Sequence, residues 1–429
     1  MPYSSAVSKD CNAFLPWLEQ KAGTEISSKL SIGHSTCGRS LFASDFIREG
    51  ECLLKVPYSV HLTPDKIIPA LESLLTADVS NIVRLAVVLL AEKKLGQDST
   101  WASYVNSLPL CEDMHNTIFW SKDELEMVRP SSVYRETFDQ KVCIEKEFYV
   151  IKHALGHFPQ IFGTCTLLDF MYAYSIVGSR AWGTSKGLSL VPFADFLNHG
   201  VSKSFLLSDD DKEISEVIAD RDYTIGEEVM IRYGKFPNST LLLDFGFTLK
   251  DNIYDQVQIL IGIPKLDHLF KEKLELLHKY SMPTDTKNSK LSSSEFSFTL
   301  REVKSTQGKG KGIPQSLRAF ARILSANSNE ELKNMSLEAS NGDGRLARRP
   351  LNDKQRELYA HDILHLHINN IIEIYNSSIK SLDLVGSDPP HCKSLLRRDM
   401  ARNLLTGELR VLRSAHSWLK SYCKIFSRI

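Results

Sequence analysis

The chain has 429 residues, of which 42% are hydrophobic and 24% are charged. This length exceeds what one ordinary hydrophobic core holds, so two or three domains are expected. Lysine and arginine together number 52, as do aspartate and glutamate, so no overall charge favours a nucleic acid or an anionic membrane as partner. No apolar run is long enough to span a bilayer, and the N-terminus lacks the apolar segment of a signal peptide.

The 8 cysteines are scattered along the chain, and none of them forms a Cys-x-x-Cys pair. A zinc cluster needs such closely spaced ligands, so we expect no metal site. Scattered cysteines in a chain of this size indicate reduced thiols in a reducing compartment.

The first half of the chain alternates between strand and helix patterns. Short paired strands with a glycine turn are predicted between residues 36 and 60. From about 64 to 178 the pattern is helical, and Ser80 and Gly96 are predicted to cap one of these helices. A second helix is predicted over 135–155. Strands return from about 188, where a strand, a turn and a second strand lead to Tyr233.

Helices are predicted to dominate after about residue 255. The apolar spacing predicts helices over 264–280, 314–327, 353–382 and 391–422. Phe296, Phe298 and Leu300 alternate like a lone strand. The loop over 304–312 alternates glycine and lysine, but it lacks the spacing of a phosphate-binding loop and is predicted to be solvated.

Three short motifs carry the strongest functional signal. They are Ser179-Arg180-Ala181-Trp182, the apolar segment from Pro192 that ends in Asn198-His199, and Ile231-Arg232-Tyr233-Gly234. In this order they resemble the core of a SET-domain protein methyltransferase of the Rubisco large-subunit lysine methyltransferase class. Gly38-Arg39-Ser40-Leu41 before them and Asp244-Phe245-Gly246-Phe247 after them extend the resemblance over essentially the whole chain.

The resemblance implies an α+β fold with two domains. A mostly-β SET domain is expected over residues 1–255, with a helical insertion at about 64–178. An α-helical domain that binds the protein substrate is expected over residues 256–429. A Rossmann-type methyltransferase is disfavoured, because no glycine-rich loop follows a strand in a strand-helix-strand unit.

The same resemblance implies that S-adenosyl-L-methionine is the cofactor. The segment Cys37-Gly38-Arg39 matches the first cofactor loop of the family, and Gly38 would let the backbone approach closely. The alternative is that this segment is only a glycine turn between two strands, without a role in cofactor binding. Four further matches are Arg180 for the cofactor carboxylate, Asn198 and His199 for adenine, and Phe245 for the adenine face, where many relatives have tyrosine.

Tyr233 is the predicted catalytic residue. Methyl transfer is an in-line displacement, so the alignment and the neutrality of the amine matter most. A phenol has a pKa of about 10, so Tyr233 is expected to orient the amine and stabilise charge rather than to act as a base. An apolar channel favours a neutral lysine by desolvation. The alternative is a strand-end tyrosine that only packs on the core.

The predicted substrate-binding residues are Arg180, Trp182, Asp195 and Tyr233. Asp195 is expected to pair with Arg180 and to lie near the incoming side chain. Trp182 stands where lysine-directed relatives carry an aromatic residue, whereas the actin-histidine methyltransferase relative has asparagine there. Trp182 therefore favours lysine as the target.

Three hypotheses of function remain. The first is a protein-lysine N-methyltransferase that acts on a non-histone protein docked on the helical domain. The others are a protein-histidine methyltransferase and a non-catalytic SET-fold scaffold that binds a partner. The non-histone substrate is inferred because the zinc-bound cysteine cluster of many histone-directed SET enzymes is missing. We expect a monomer with neither a nucleic-acid nor a membrane partner, in the cytoplasm or nucleus, or in the chloroplast if a transit peptide has been trimmed.

Overall fold

The computed structural model describes residues 11–36, 38–184, 187–280, 294–305, 308–384 and 392–426. The helices within these ranges are α1 (Cys11–Ala22), α2 (Pro69–Glu72), α3 (Asn81–Leu95), α4 (Ala102–Ser107), α5 (Lys122–Glu126), α6 (Ser132–Gly156), α7 (Pro159–Phe162), α8 (Leu167–Arg180), α9 (Asn238–Thr240), α10 (Phe270–Lys279), α11 (Gln315–Ser325), α12 (Asn329–Asn341), α13 (Lys354–Leu384) and α14 (Cys392–Phe426).

The strands within the same ranges are β1 (Leu30–Ser35), β2 (Gly38–Ala43), β3 (Cys52–Pro57), β4 (Trp182–Thr184), β5 (Gly187–Ser189), β6 (Asn198–His199), β7 (Leu206–Asp209), β8 (Ile214–Ile218), β9 (Glu228–Ile231), β10 (Gln256–Gly262) and β11 (Glu295–Arg301). Helices and small antiparallel sheets occur together, so the predicted α+β fold class is confirmed.

The chain divides into two compact units. The first comprises Met1–Phe119, Phe138–Lys235 and Asp244–Gly246, and the second comprises Trp120–Thr137, Phe236–Leu243 and Phe247–Ile429. The expected domain division at residue 255 stays a prediction. The compact units are interleaved along the chain, because short segments before residue 255 belong to the second of them.

Three small sheets organise the part of the first unit that the structure describes. A four-stranded sheet has the order β1-β2-β9-β6, a three-stranded sheet has the order β3-β8-β7, and β4 pairs with β5. All of these pairs are antiparallel except β6 with β9. In β9, Val229 and Ile231 are buried while Glu228 and Met230 are half-buried, so one face of this central strand stays open.

Helices α3 and α8 pack beside these sheets in the core of the first unit. Helix α3 ends at Gly96, whose φ of 58° is a left-handed conformation that glycine adopts without strain. Ser80 takes the predicted N-cap position, but its hydroxyl makes no capping hydrogen bond. Helix α8 begins with a reciprocal capping box between Thr166 and Asp169 and ends at Arg180, which places that side chain at a helix terminus.

Within its described residues, the second unit is mainly helical and contains one pair of strands. Helices α13 and α14 pack along each other, and α11 packs against α13. The segment predicted as a lone strand is β11, and it is not alone because it pairs antiparallel with β10. Helix α12 was not predicted, although the Ser328 hydroxyl accepts from the Glu331 backbone N–H at its start.

A buried carboxyl group lies in the core of the second unit. Glu408 accepts hydrogen bonds from the Ser131 hydroxyl at 2.9 Å and from the Tyr375 hydroxyl at 2.9 Å. Burial raises the pKa of Glu408 to about 8, while these two hydrogen bonds act in the opposite direction. The unfolded group has a pKa of about 4.5, so the folded chain holds a proton here that the unfolded chain has already released at neutral pH.

This proton makes the stability of the second unit depend on pH. Because the folded-state pKa is raised, the contribution of Glu408 to stability is fully present below about pH 4.5 and is lost as the pH rises through about 8. We expect Glu408→Gln to flatten the decline between about pH 6.5 and about pH 8, because the amide does not titrate. Urea midpoints at several pH values measure this, and a wild-type slope unchanged in the variant would contradict it.

Among the residues that the structure covers, no helix combines the length and apolarity needed to cross a membrane. In the same residues, no three histidine, cysteine, aspartate or glutamate side chains come together as a metal-binding group.

Candidate active site

An aromatic cluster surrounds Tyr233 in the first unit. The Trp182 ring meets the Tyr233 ring edge-on, with centroids 5.7 Å apart and an interplanar angle of 88°. The His199 and Phe245 rings lie 5.2 and 5.5 Å from the same ring. Four side chains singled out from four separate motifs therefore meet in one place.

Parallel pairing of two short strands brings the motifs together. Asn198 and His199 form β6 and pair with Met230 and Ile231 of β9. The Gly200 N–H donates to the Ile231 carbonyl at 3.0 Å and extends this pairing. The sequence placed Tyr233 at a strand end, but β9 ends at Ile231, so the tyrosine lies two residues beyond it.

Two hydrogen bonds orient Tyr233. Its backbone N–H donates to His199 Nδ1 at 3.0 Å, and its hydroxyl donates to the Leu197 carbonyl at 2.7 Å. Because the phenolic proton is directed at Leu197, the oxygen offers its lone pairs to a ligand. The hydroxyl is thus suited to interact with a positively polarised group.

The surroundings of His199 define its protonation state and tautomer. Burial lowers the pKa of His199, and the positive charge of Arg232 lowers it further. Since Nδ1 accepts a hydrogen bond from Tyr233, the neutral ring carries its proton on Nε2. His199 therefore ties β6 to the Tyr233 segment as a neutral group.

Arg180, Asp195 and Tyr104 form a buried polar network beside this cluster. Arg180 Nη1 donates to the Asp195 carbonyl at 2.8 Å and lies 3.5 Å from Asp195 Oδ2. The Tyr104 hydroxyl donates to the same Oδ2 at 2.9 Å. The Asp195 side chain is 0% exposed, whereas that of Arg180 is 25% exposed, so the network presents the guanidinium rather than the carboxylate.

A strained turn places Asp195. Phe193 is buried and has a φ of 71°, in the left-handed region that residues other than glycine rarely adopt. It leads into a short 3₁₀ turn, Ala194–Phe196, whose middle residue is Asp195. Holding this turn costs on the order of 1–3 kcal/mol, which the surrounding core must offset.

Burial raises the pKa of Asp195, and the charge of Arg180 and the hydrogen bond from Tyr104 oppose that rise. Tyr104 is itself fully buried, which raises its own pKa well above the usual value. Its hydroxyl therefore remains a proton donor over the whole physiological range, and it helps to keep Asp195 ionised beside Arg180.

Removing the Tyr104 hydroxyl is expected to shift the pH dependence of cofactor binding. In Tyr104→Phe the pKa of Asp195 rises further, so the carboxylate that Arg180 needs is lost at a higher pH. The acidic limb of a plot of cofactor Kd against pH should move to higher pH. The control is Tyr223→Phe, which removes another buried hydroxyl that donates to a carboxylate, that of Asp220. Identical profiles for Tyr104→Phe and wild type would contradict this role.

The predicted first cofactor loop is placed in part. Gly38 starts β2 with a φ of 95°, and no atom lies within 4 Å of where a Cβ would stand, so its backbone is accessible. The Arg39 guanidinium lies 5.3 Å from the centre of the Phe196 ring, and Nη1 donates to the Ser107 carbonyl. The Arg39 backbone carbonyl accepts from Asn198 Nδ2 at 3.3 Å. Cys37 lies outside the described residues.

Phe245 ends a short π-helix, Leu241–Phe245. Two neighbours hold it, Asn116, which the sequence did not single out, and Gly246 of the same motif. Asn116 Nδ2 donates to the Asp244 carbonyl at 2.8 Å. Gly246 has a φ of 76°, and a Cβ there would lie 2.9 Å from the Asn116 backbone nitrogen. Only glycine therefore allows this close approach.

The residues present fit S-adenosyl-L-methionine. Three buried polar atoms of this region have no hydrogen-bond partner among the described residues, namely Arg39 Nε, Trp182 Nε1 and Asp195 Oδ1. Buried polar atoms ordinarily have partners, so such a group of them marks a place for a polar ligand. A partly exposed guanidinium, an amide and aromatic faces match the carboxylate, the amines and the adenine of this cofactor.

A family model described as Rubisco LSMT substrate-binding matches residues 264–412. The chain is also similar to the chloroplastic [fructose-bisphosphate aldolase]-lysine N-methyltransferase of Arabidopsis thaliana, with 27% identity over 65% of this chain and 60% of the relative. Ribosomal lysine N-methyltransferase 4 of Saccharomyces cerevisiae is 28% identical over 63% of each chain. This chain thus spans about 60% of the length of these relatives.

A third relative differs in its target. The actin-histidine N-methyltransferase of Gallus gallus is 26% identical over 69% of this chain and 49% of its own length.

Solved structures of Rubisco LSMT share the fold. The structure of Rubisco LSMT bound to AdoMet superposes with a TM-score of 0.73 at 19% identity and covers 99% of this chain and 94% of the other. The SET domain of LSMT bound to lysine and AdoHcy gives a TM-score of 0.74 at 18% identity over the same shares. The chain therefore shares the fold of the Rubisco LSMT structures, and its residues 264–412 match the Rubisco LSMT substrate-binding family.

Proposed function

We propose that this chain is an S-adenosyl-L-methionine-dependent protein-lysine N-methyltransferase acting on a non-histone protein. The observation that carries the proposal is the aromatic cluster of Trp182, Tyr233 and Phe245, in which the Tyr233 hydroxyl is oriented by the Leu197 carbonyl. Beside it lie the polar groups that suit the cofactor, and all of them belong to the first unit.

Cofactor binding is assigned to six described residues and one that lies outside them. Arg180 offers its guanidinium to a carboxylate, and Asn198 and His199 offer main-chain and side-chain groups to adenine and the amine. Phe245 supplies an aromatic face, and Gly38 with Arg39 supplies accessible backbone. Cys37 keeps its proposed place in the same loop. When bound, S-adenosyl-L-methionine supplies an electrophilic methyl group on a sulfonium.

The aromatic residues are suited to prepare the acceptor amine. Apolar walls remove water, and desolvation lowers the pKa of a lysine so that the neutral nucleophile is present. Tyr233 turns its oxygen lone pairs toward the reacting groups, where they stabilise positive charge and align the amine. The buried Asp195 keeps Arg180 in place, so the predicted substrate contacts of both residues rest on this network.

Lysine is preferred over histidine as the target because of Trp182. Its ring stands edge-on to the Tyr233 ring, with centroids 5.7 Å apart, and is proposed to form one wall of the acceptor channel. A flat wall of this kind suits the slim apolar stem of lysine better than an imidazole ring. Because the chain is also similar to an actin-histidine N-methyltransferase, the experiment must distinguish a methylated lysine from a methylated histidine.

The protein substrate is proposed to dock on the second unit, within which the Rubisco LSMT substrate-binding match lies. The monomeric state, the lack of a nucleic-acid partner and the compartment stay predictions.

The first experiment is calorimetric titration of the full chain with S-adenosylmethionine and S-adenosylhomocysteine. We expect micromolar binding that Asn198→Ala weakens by at least about tenfold. Absence of binding by folded wild-type protein would overturn both methyltransferase hypotheses and leave the scaffold.

The second experiment transfers a labelled methyl group to proteins of a cell extract and hydrolyses the product to amino acids. Labelled methyllysine is the expected product. Labelled methylhistidine would overturn the choice of lysine and retain the cofactor assignment. Tyr233→Phe serves as the control for transfer by a contaminating enzyme.

A further inference from the structure

The side-chain amide of Asn198 is held by two acceptors. Its Nδ2 donates to the Arg39 carbonyl at 3.3 Å and to Glu228 Oε1 at 3.2 Å. An amide nitrogen has two hydrogens, so both are used within the protein. The group that remains to meet a ligand is the amide oxygen, which only accepts hydrogen bonds.

Glu228 is itself held in place by Ser40. The Ser40 hydroxyl donates to Glu228 Oε1 at 2.6 Å, the same oxygen that accepts from Asn198. Ser40 is fully buried, so its hydroxyl has no access to water as a competing partner. A hydrogen bond to an ionised carboxylate is among the stronger ones in a protein.

The topology explains how three distant residues meet. Strand β9, with Glu228, lies between β2, with Ser40, and β6, with Asn198. The half-buried face of β9 carries Glu228 and Met230, and Met230 is the strand partner of Asn198. One carboxylate oxygen on the central strand therefore links the side chains of both flanking strands.

Holding the strands together does not by itself require this acid. Strands β2 and β9 already pair through their backbones at Leu41 with Val229 and at Phe42 with Glu228. Withdrawing a carboxylate partly from water costs free energy, which its hydrogen bonds with Ser40 and Asn198 offset. The purpose that the contacts indicate is to fix which end of the Asn198 amide faces the site.

We propose that Glu228, supported by Ser40, is a positioning residue that fixes the Asn198 amide with its oxygen as the ligand contact. The cofactor group at this point is then a hydrogen-bond donor, an ammonium or an amine. Neither residue touches the reacting atoms, so their effect is on cofactor affinity and passes through Asn198. The inference rests on the proposed function, because it assigns a partner to a residue of the cofactor site.

The test is a double-mutant cycle on the Kd of S-adenosylmethionine and S-adenosylhomocysteine, measured by calorimetry on the full chain. Glu228→Ala should weaken binding about tenfold, and Ser40→Ala about threefold. Glu228→Gln keeps an acceptor at Oε1 and should stay within about threefold of wild type. In an Asn198→Ala background, Glu228→Ala should add less than about twofold, because the group it positions is already gone.

A merely structural role gives a different pattern. Glu228→Ala would then weaken binding equally with and without Asn198, and that result would overturn the proposal. So would unchanged binding in Glu228→Ala. If Glu228 acts by positioning Asn198, Glu228→Ala should keep kcat within about twofold of wild type at saturating cofactor, while its KM for the cofactor rises. If Glu228→Ala does not fold, the cofactor Kd values of Ser40→Ala and Glu228→Gln test the proposal instead. Wild-type affinity in Ser40→Ala would contradict the role of Ser40 in holding Glu228.

The matched control is Glu227→Ala. This neighbouring carboxylate pairs with Arg221 at 2.6 Å and makes no contact with Asn198, so its loss should leave Kd unchanged. The wild-type titration distinguishes failure of the proposed function from failure of this inference. Absence of wild-type binding would defeat the proposed function, whereas normal wild-type binding with an unaffected Glu228→Ala would defeat only this inference.

Discussion

Replacing Tyr233 by phenylalanine is expected to lower kcat by about 10²–10³-fold, the effect of losing one well-placed polar group in an active site. The Kd for S-adenosylmethionine should stay within about threefold of wild type. The ring contacts with Trp182, His199 and Phe245 are retained in the variant, as is the backbone hydrogen bond to His199. Only the oxygen, oriented by the Leu197 carbonyl at 2.7 Å, is removed.

The measurement is single-turnover methyl transfer at saturating cofactor, because it isolates chemistry from product release. Tyr172→Phe is the matched control, since the Tyr172 hydroxyl also donates to a backbone carbonyl, that of Pro109, at 2.8 Å. The control should retain kcat. Full activity of Tyr233→Phe would remove Tyr233 from the catalytic assignment, whereas an equal loss in both variants would indicate general damage to the fold.

Replacing Glu357 by leucine is expected to destabilise the second unit by about 3–5 kcal/mol, the cost of leaving a buried charge without its partner. Arg322 is 2% exposed and Glu357 is 0% exposed. Their two parallel hydrogen bonds measure 2.8 and 2.7 Å. Although burial opposes ionisation of Glu357, the hydrogen bonds from Arg322 and Leu351 hold its pKa below the usual value.

Loss of the Arg322–Glu357 ion pair also affects the residues that Arg322 contacts. Arg322 Nη1 also donates to the carbonyls of Ala347 and Arg348 at 2.9 and 3.2 Å, so it fixes the loop before α13. Arg322→Met combined with Glu357→Leu should recover part of the stability, because neither charge is then left buried alone. The comparison separates loss of the ion pair from loss of packing volume.

Hydrogen exchange of peptides from α11 and α13, followed in urea, measures the effect in the full chain. The control is Arg402→Ala, whose ion pairs with Asp383 and Asp399 are largely exposed. That change should cost about 0–1 kcal/mol. A similarly small effect of Glu357→Leu would mean that the buried pair contributes no more than a surface pair.

The elements that were predicted correctly depend on local signals. Helix α3 was predicted from apolar periodicity and from Gly96, and the strand over Cys52–Pro57 from its short apolar run. The four helices expected after residue 255 all occur, with ends shifted by a few residues. Periodicity and caps act within a few residues, so a single sequence is enough to detect them.

The errors concern interactions between residues that are distant in the chain. Strand β11 resembled a lone strand because its partner β10 ends 33 positions before it begins, at Gly262 against Glu295. Tyr233 resembled a strand end because alternation continues past Ile231, although pairing stops there. Neither the partner of a strand nor the residue at which its pairing stops can be recognised from a local pattern in the sequence.

The motifs by themselves single out the residues proposed for the site, namely Arg180, Trp182, Asp195, Asn198, His199, Tyr233 and Phe245. Each is proposed because its residue type suits the group that it would bind, and residue type is visible in the sequence.

Only the tertiary structure supplied the residues that hold them. Tyr104 reaches Asp195 from 91 positions away, Ser40 reaches Glu228 from 188, and Asn116 reaches Asp244 from 128. Tyrosine, serine and asparagine are common residues whose role depends on what the fold places opposite them. A hydrogen bond forms over about 3 Å in space whatever the separation along the chain, so these partners are decided by packing and not by sequence spacing.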